Sequence, residues 1–252
     1  MSIITLTTDF GTADEYAGIM KGVILSLNPS AVIVDITHHI DPQDLVQAAY
    51  TIYSSYGYFP QGTVHAVIVD PAVGSDRKII AFKKTGHIFL APDNGVLTLL
   101  INKGNINSIA SIDNTSYFLD PVSHTFHGRD IFAPVSAHLS MGVPIKKLGT
   151  SVAQKNLMCL SIREPYFSDN GELVGSIVSI DHFGNLITNK NAAVIASVLN
   201  HLIVIDFPRL LIIRRVHCRT LFEVLGFDIG IVLVFYLFCN SSGHKGTKTL
   251  KI

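Results

Sequence analysis

Apolar runs and amphipathic stretches alternate along the first half of the chain. Residues 3–7, 31–36 and 64–69 are short, apolar and rich in β-branched side chains, as expected of strands covered on both faces. Each run gives way to polar groups: Thr8-Asp9 after the first, Thr37, His38, His39 and Asp41 after the second, and Asp70-Pro71 after the third. Between the first two, residues 12–27 carry Tyr16, Ile19, Met20, Val23, Ile24 and Leu27 at helical spacing. A second helix is predicted from Pro42 to about Tyr56, with Asp41 as its N-cap. Residues 79–83 and 87–90 read as a strand pair turning at Gly86, and helices are predicted over 96–101 and 131–141.

Such alternation through residue 145 predicts a mostly parallel sheet flanked by helices on both faces. After Gly142-Val143-Pro144 the pattern changes. Residues 173–180 form a strand that runs into Asp181-His182-Phe183-Gly184-Asn185 and on to 186–189, with no long helix between. A smaller, mainly β domain is therefore expected at 165–252, after an α/β domain at 1–155. From about residue 191 that second domain is atypical: residues 191–239 are dense in apolar side chains with no steady period of two or 3.6.

Composition narrows the class. At 252 residues the chain can bury a substantial core. Only 15% of residues are charged and the formal net charge is +0, with no basic stripe, so no nucleic-acid partner is expected. Cys159, Cys218 and Cys239 lie far apart and form no C-x-x-C pair, which indicates neither a disulfide framework nor zinc. The start, MSIITLTTDFG, has no basic n-region, so a cytoplasmic location is the default expectation. The apolar run 229–239 is too short to span a bilayer, so no membrane association is expected.

Chemistry-bearing residues collect at the strand ends. Asp70, a tight Ala-Val-Gly-Ser loop, Asp76 and Arg77 follow the third strand, where open α/β sheets place ligands. The competing reading is a turn that carries a surface ion pair. Asp9, Asp93-Asn94, His127 and Asp181 with Asn185 complete a set of oxygen-rich or polar loop ends that suits a ribose diol and a purine edge. Adjacent His38 and His39 point to opposite faces, so with Asp41 and Asp44 they make a poor metal cluster. His124, His127 and His138 lack H-E-x-x-H spacing, and no dinucleotide, P-loop or G-x-S-x-G motif occurs. Taken alone, these residues imply a small-molecule enzyme on an α/β sheet.

Six ordered segments then carry a resemblance: TLTTDFGTADEYAG, VDITHHIDPQD, VIVDPAVGSDR, APDNGVL, TFHGRDIFAPVSAHL and IVSIDHFGNLITN. They resemble the signature segments of the S-adenosyl-L-methionine (SAM) hydroxide adenosyltransferases, the adenosine-forming SAM hydrolases related to SAM-dependent fluorinases and chlorinases. The resemblance covers residues 3–190. It implies an α/β N-terminal domain, a smaller β-barrel-like C-terminal domain, and a homotrimer binding SAM between subunits. It further implies hydrolysis of SAM to adenosine and methionine by attack of water or hydroxide on the ribose C5′, without metal or cofactor. By the same resemblance, Asp70, Arg77 and His127 match the set that holds the attacking water, which the halogenating relatives lack. Asp9 matches the ribose-gripping carboxylate, Asp14 lies toward the methionine end, and Phe126 packs beside the sugar or reacting centre. Asp181, Phe183 and Asn185 match C-terminal residues that meet the methionine ammonium and the adenine.

Asn240-Ser241-Ser242-Gly243 resembles a late family segment and puts Ser241 in the substrate-binding set, but residues 200–238 match nothing in the family. Their Leu, Ile, Arg and Cys content without periodicity reads as out-of-frame translation, so an altered or truncated C-terminus is expected. Two readings of another class follow: a catalytically impaired member that still binds nucleosides or SAM, and a SAM-dependent halogenase.

Overall fold

The structure is a computed structural model that describes residues 2–102, 104, 106–169, 173–189, 201–206 and 210–215. The chain separates into two compact units, Met1–Ile162 and Arg163–Ile252.

A seven-stranded sheet of order β2-β1-β3-β5-β4-β6-β7 forms the centre of the first unit. Its strands are β1 (Ile3–Thr8), β2 (Val32–Thr37), β3 (Val64–Ile68), β4 (Ile79–Lys84), β5 (His87–Pro92), β6 (Asn107–Ile112) and β7 (Gly149–Ser151). Neighbours β2, β1, β3 and β5 pair in parallel. β4 runs antiparallel to both β5 and β6, so β6 points the same way as the parallel set. The mostly parallel α/β architecture expected from the sequence is what forms.

Alternation along the strands makes two cores. Ile4, Leu6, Val64, Ala66, Ile68, Ile88 and Leu90 face one side. Val67, Val69, Phe89 and Ala91 face the other. Helices α1 (Tyr16–Leu27) and α4 (Ala133–Ser140) cover the first side through Met20, Ile24, Val135 and Leu139. Helices α2 (Leu45–Ser55) and α3 (Thr98–Asn102) cover the second through Ala48, Ile52, Leu100 and Ile101.

Two helix starts differ from expectation for local reasons. α2 is capped by Asp44, whose Oδ1 accepts the Gln47 N–H at 2.8 Å, and not by Asp41. Gln43 before it adopts φ 65°, which no right-handed helix can include. α1 begins at Tyr16 because residues 11–12 close a loop instead: the Gly11 N–H donates to the His38 carbonyl at 2.7 Å, and the Thr12 hydroxyl meets His39 Nε2 at 3.2 Å. β6 and β7 went unforeseen in the sequence.

The second unit contains β8 (Tyr166–Phe167), β9 (Leu173–Ile180), β10 (Leu186–Thr188), β11 (His201–Asp206) and β12 (Leu210–Arg215), all antiparallel, in the order β10-β9-β12-β11 with β8 also on β9. The stretch expected to be atypical thus supplies a paired hairpin, Ile203 opposite Ile213. The rest of 191–252 lies outside the described residues.

Candidate active site

Parallel strands deliver their carboxyl ends to one edge of the sheet, and that edge collects Asp9 after β1, Asp70 after β3 and Asn94 after β5. Asp70 Oδ1 accepts from Arg77 Nε at 2.8 Å, while Oδ2 forms an ion pair with Arg77 Nη2. The Arg77 and Asp70 side chains are only 8% and 7% exposed, so this is a fork-on-fork pair out of bulk water. Arg77 Nη2 also meets His127 Nδ1 at 2.9 Å. A guanidinium carries donors only, so Nδ1 accepts and the ring hydrogen sits on Nε2. The surface ion pair that competed with the ligand-site reading is thereby excluded: the pair is buried and tied to a histidine 50 residues further on.

Burial disfavours the charged form of His127 most, and the adjacent Arg77 adds to this, so its pKa falls below the ordinary 6.5. Asp70 and Asp130 pull the other way, and His124 adds to the lowering.

The loops around this trio are tightly fixed. The Asn94 amide donates to the Val69 carbonyl at 2.9 Å, pinning the residue before Asp70. Gly74 has φ 79°, and a Cβ there would lie 2.5 Å from the His124 carbonyl oxygen. Only glycine lets the loop after β3 approach the loop that carries His127 this closely. His127 itself precedes a π-helical turn, Gly128–Phe132, leading into α4. Such wide turns are frequent at functional sites.

Within that turn lies a residue the sequence reading missed. Asp130 is 1% exposed and accepts from the Ser123 N–H and hydroxyl and from Arg129 Nε and Nη2. Hydrogen bonding to Arg129 and Ser123 overrides the cost of its burial and holds its pKa below the carboxylate norm. Nothing in a polar stretch such as SHTFHGRD marks one carboxylate as buried.

Asp9 Oδ2 accepts the Gln43 N–H at 2.9 Å, so the left-handed backbone of Gln43 serves to aim an amide at this carboxylate. Phe126 packs on Tyr16 with ring centroids 5.1 Å apart, and the Arg129 guanidinium stacks over Phe126 at 5.1 Å. Phe10, Tyr16, Met20, Phe126, Gly128 and Arg129 help line an open cavity of about 280 Å³. Asp14 is exposed at the start of α1.

Asp181, Phe183 and Asn185 belong to the second unit, where they form a turn between β9 and β10. Asp181 Oδ1 accepts the Phe183 and Asn185 N–H groups, and Oδ2 accepts the Asn185 amide at 2.7 Å. Those bonds, the Asn185 amide above all, lower the Asp181 pKa. The Phe183 ring is 85% exposed. Ser241 lies outside the described residues. His38 is held between the Thr8 hydroxyl (2.9 Å) and Asp35 (3.1 Å). Among the described residues no group of three or more His, Cys, Asp or Glu is arranged to hold a metal ion, and no helix is long and apolar enough to cross a membrane.

Comparison with known proteins gives this geometry its context. The profile of the SAM hydroxide adenosyltransferase N-terminal domain matches residues 4–149. An (R)-S-adenosyl-L-methionine hydrolase of Methanocaldococcus jannaschii is 38% identical over 75% of this chain and 67% of its own length. A fluorinase from an Actinoplanes species is 30% identical over 96% of this chain and 89% of its own. The crystal structure of an uncharacterized conserved protein from Thermotoga maritima superposes with a TM-score of 0.75 at 36% identity, covering 82% of this chain and 80% of that one. The chain belongs to the SAM hydroxide adenosyltransferase family.

Proposed function

We propose that this protein hydrolyses SAM to adenosine and L-methionine, with water held by Asp70, Arg77 and His127 attacking the ribose C5′. The observation that carries the reading is the contact of these three side chains, brought from two loops into one partly buried cluster. The hydrolases among the relatives lend it support, being 33–38% identical to this chain. A new C5′–O bond forms as the C5′–S bond breaks, and its electron pair neutralises the sulfonium to the thioether of methionine. Since the leaving group is already activated, the reaction asks for a positioned nucleophile about 3 Å from C5′ and asks for no metal or cofactor. Arg77 favours hydroxide character by its charge, and Asp70 takes the proton. With Nδ1 engaged by Arg77, His127 orients the water through its Nε2–H.

Asp9, Asp14, Phe126, Asp181, Phe183, Asn185 and Ser241 are the proposed substrate-binding residues, in a homotrimer with SAM between subunits. Incubating the purified protein with SAM, and separating the products by chromatography, tests the reaction. Adenosine and methionine in equal amounts are expected. No adenosine from folded protein overturns the hydrolase reading in favour of an impaired binding protein, and 5′-halo-adenosine in the presence of chloride or fluoride overturns it in favour of halogenation.

A further inference from the structure

The trio accounts for how the water is held but leaves a buried carboxylate unused. Asp130 makes four hydrogen bonds, two to Ser123 at 2.8 and 2.7 Å and two to Arg129 at 2.6 and 3.1 Å. Ser123 passes the restraint on, since its hydroxyl also accepts the Phe126 N–H at 3.0 Å. The backbone of Asp130 ties into the same loop twice: its carbonyl accepts from Leu119 N at 2.8 Å and its N–H donates to the Phe126 carbonyl at 2.9 Å. Every one of these bonds ends on the segment that carries Phe126 and His127.

We propose that Asp130 is the positioning residue of the site, clamping the 119–130 loop so that His127 is delivered to Arg77 and Phe126 to the cavity wall. The proposal rests on the hydrolase reading for its consequence in turnover, though its structural part stands apart from it. A carboxylate is needed because one group must accept four donors from two directions while buried, and only an ionised acid offers enough lone pairs. The same charge acts on His127. The charged and titratable groups facing that imidazole are Arg77 and Asp70 from the loop after β3, with Asp130 and His124 from its own segment. Asp130 is one of two negative charges among these four, but it acts on the imidazole less than burial and Arg77 do, so where the ring sits decides how it titrates.

Asp130→Asn weakens the clamp and removes its charge, and Ser123→Ala weakens the clamp with the charge in place. NMR titration of His127, assigned among the eleven histidines with His127→Gln, reads the placement of the imidazole against Arg77 and requires no turnover. Asp130→Asn is expected to cut the turnover of SAM about tenfold or more through misplacement, and to raise the His127 midpoint, because burial and Arg77 hold it down by more than Asp130 holds it up. Ser123→Ala is expected to cut turnover and to raise the midpoint as well, since it loosens the clamp while the carboxylate stays in place. An unshifted midpoint or wild-type turnover in Asp130→Asn overturns the proposal. If that variant does not fold, wild-type turnover in Ser123→Ala overturns it instead. Absence of adenosine from the wild-type protein sinks the hydrolase reading, and the titration then decides the role of Asp130 by itself.

Discussion

His127 accepts a hydrogen bond from Arg77 through Nδ1 at 2.9 Å, and only a neutral imidazole can do so. Protonation would set a cation against the guanidinium and break the contact that joins the two loops. Burial and Arg77 both lower the His127 pKa, so the neutral form persists below pH 6.5. The account therefore predicts a kcat/KM profile that is flat across neutral pH and falls on an acid limb with its midpoint below 6.5. A midpoint above that value contradicts a neutral His127. Steady-state rates across the pH range decide it.

Arg77 makes two contacts with one planar group, closing a fork on Asp70 and reaching His127, and in the proposed mechanism it also brings charge to the attacking water. Lysine keeps the charge and loses the fork. Arg77→Lys should retain the fold, judged by its circular dichroism, and lose on the order of 10²-fold in kcat/KM. Wild-type rates would show that charge alone suffices.

Two glycines give a matched comparison. Gly74 and Gly142 both have positive φ, 79° and 89°, but a Cβ meets the His124 carbonyl at the first and nothing within 4 Å at the second. Gly142→Ala should cost about 1 kcal/mol of strain and leave turnover unchanged. Gly74→Ala carries the same strain and also pushes the loop that bears His127, so turnover should fall sharply. Equal turnover in the two variants, measured alongside their melting, would detach the loop contact from catalysis.

What was legible in the sequence divides along physical lines. The apolar runs that became β1, β2 and β3 announce themselves because they are dense in β-branched side chains, although Thr5, Asp35 and His65 interrupt them. β6 (Asn107–Ile112) hides because serine and asparagine interrupt it, and β7 (Gly149–Ser151) because three residues cannot show a period. The Asp44 cap went to Asp41 because the left-handed turn at Gln43 has no sequence signature. Asp70 and Arg77 were visible as a strand end with a nearby cation. Their meeting with His127 came only from resemblance, since spacing in the chain says nothing about which loops share an edge. Asp130 was illegible because the donors that satisfy it while buried, Ser123 and Arg129, are polar residues with no spacing signature that marks them as its partners.

A pair of buried histidines at the other end of β3 predicts acid sensitivity. His65 Nδ1 meets the Thr5 hydroxyl at 2.8 Å, and its Nε2 faces His87 Nδ1 at 3.2 Å. Burial, with His87 beside it, lowers the His65 pKa to about 3, and burial lowers His87 too. The unfolded chain takes up these protons below pH 6.5 while the folded chain refuses them. Stability is therefore complete above pH 6.5 and declines as pH falls toward 3, by up to about 1.4 kcal/mol per pH unit for His65 alone. His65→Phe should flatten that slope in denaturant titrations at several pH values, and an unchanged slope would remove His65 as its source.

The central claim is that water, positioned by Asp70, Arg77 and His127, becomes the 5′-hydroxyl of adenosine. Running the reaction in heavy-oxygen water and reading the adenosine by mass spectrometry tests it most directly. The account predicts one labelled oxygen per adenosine, at the 5′ position, and none in methionine. Unlabelled adenosine, or label in methionine, would contradict attack at C5′ by the water these residues hold.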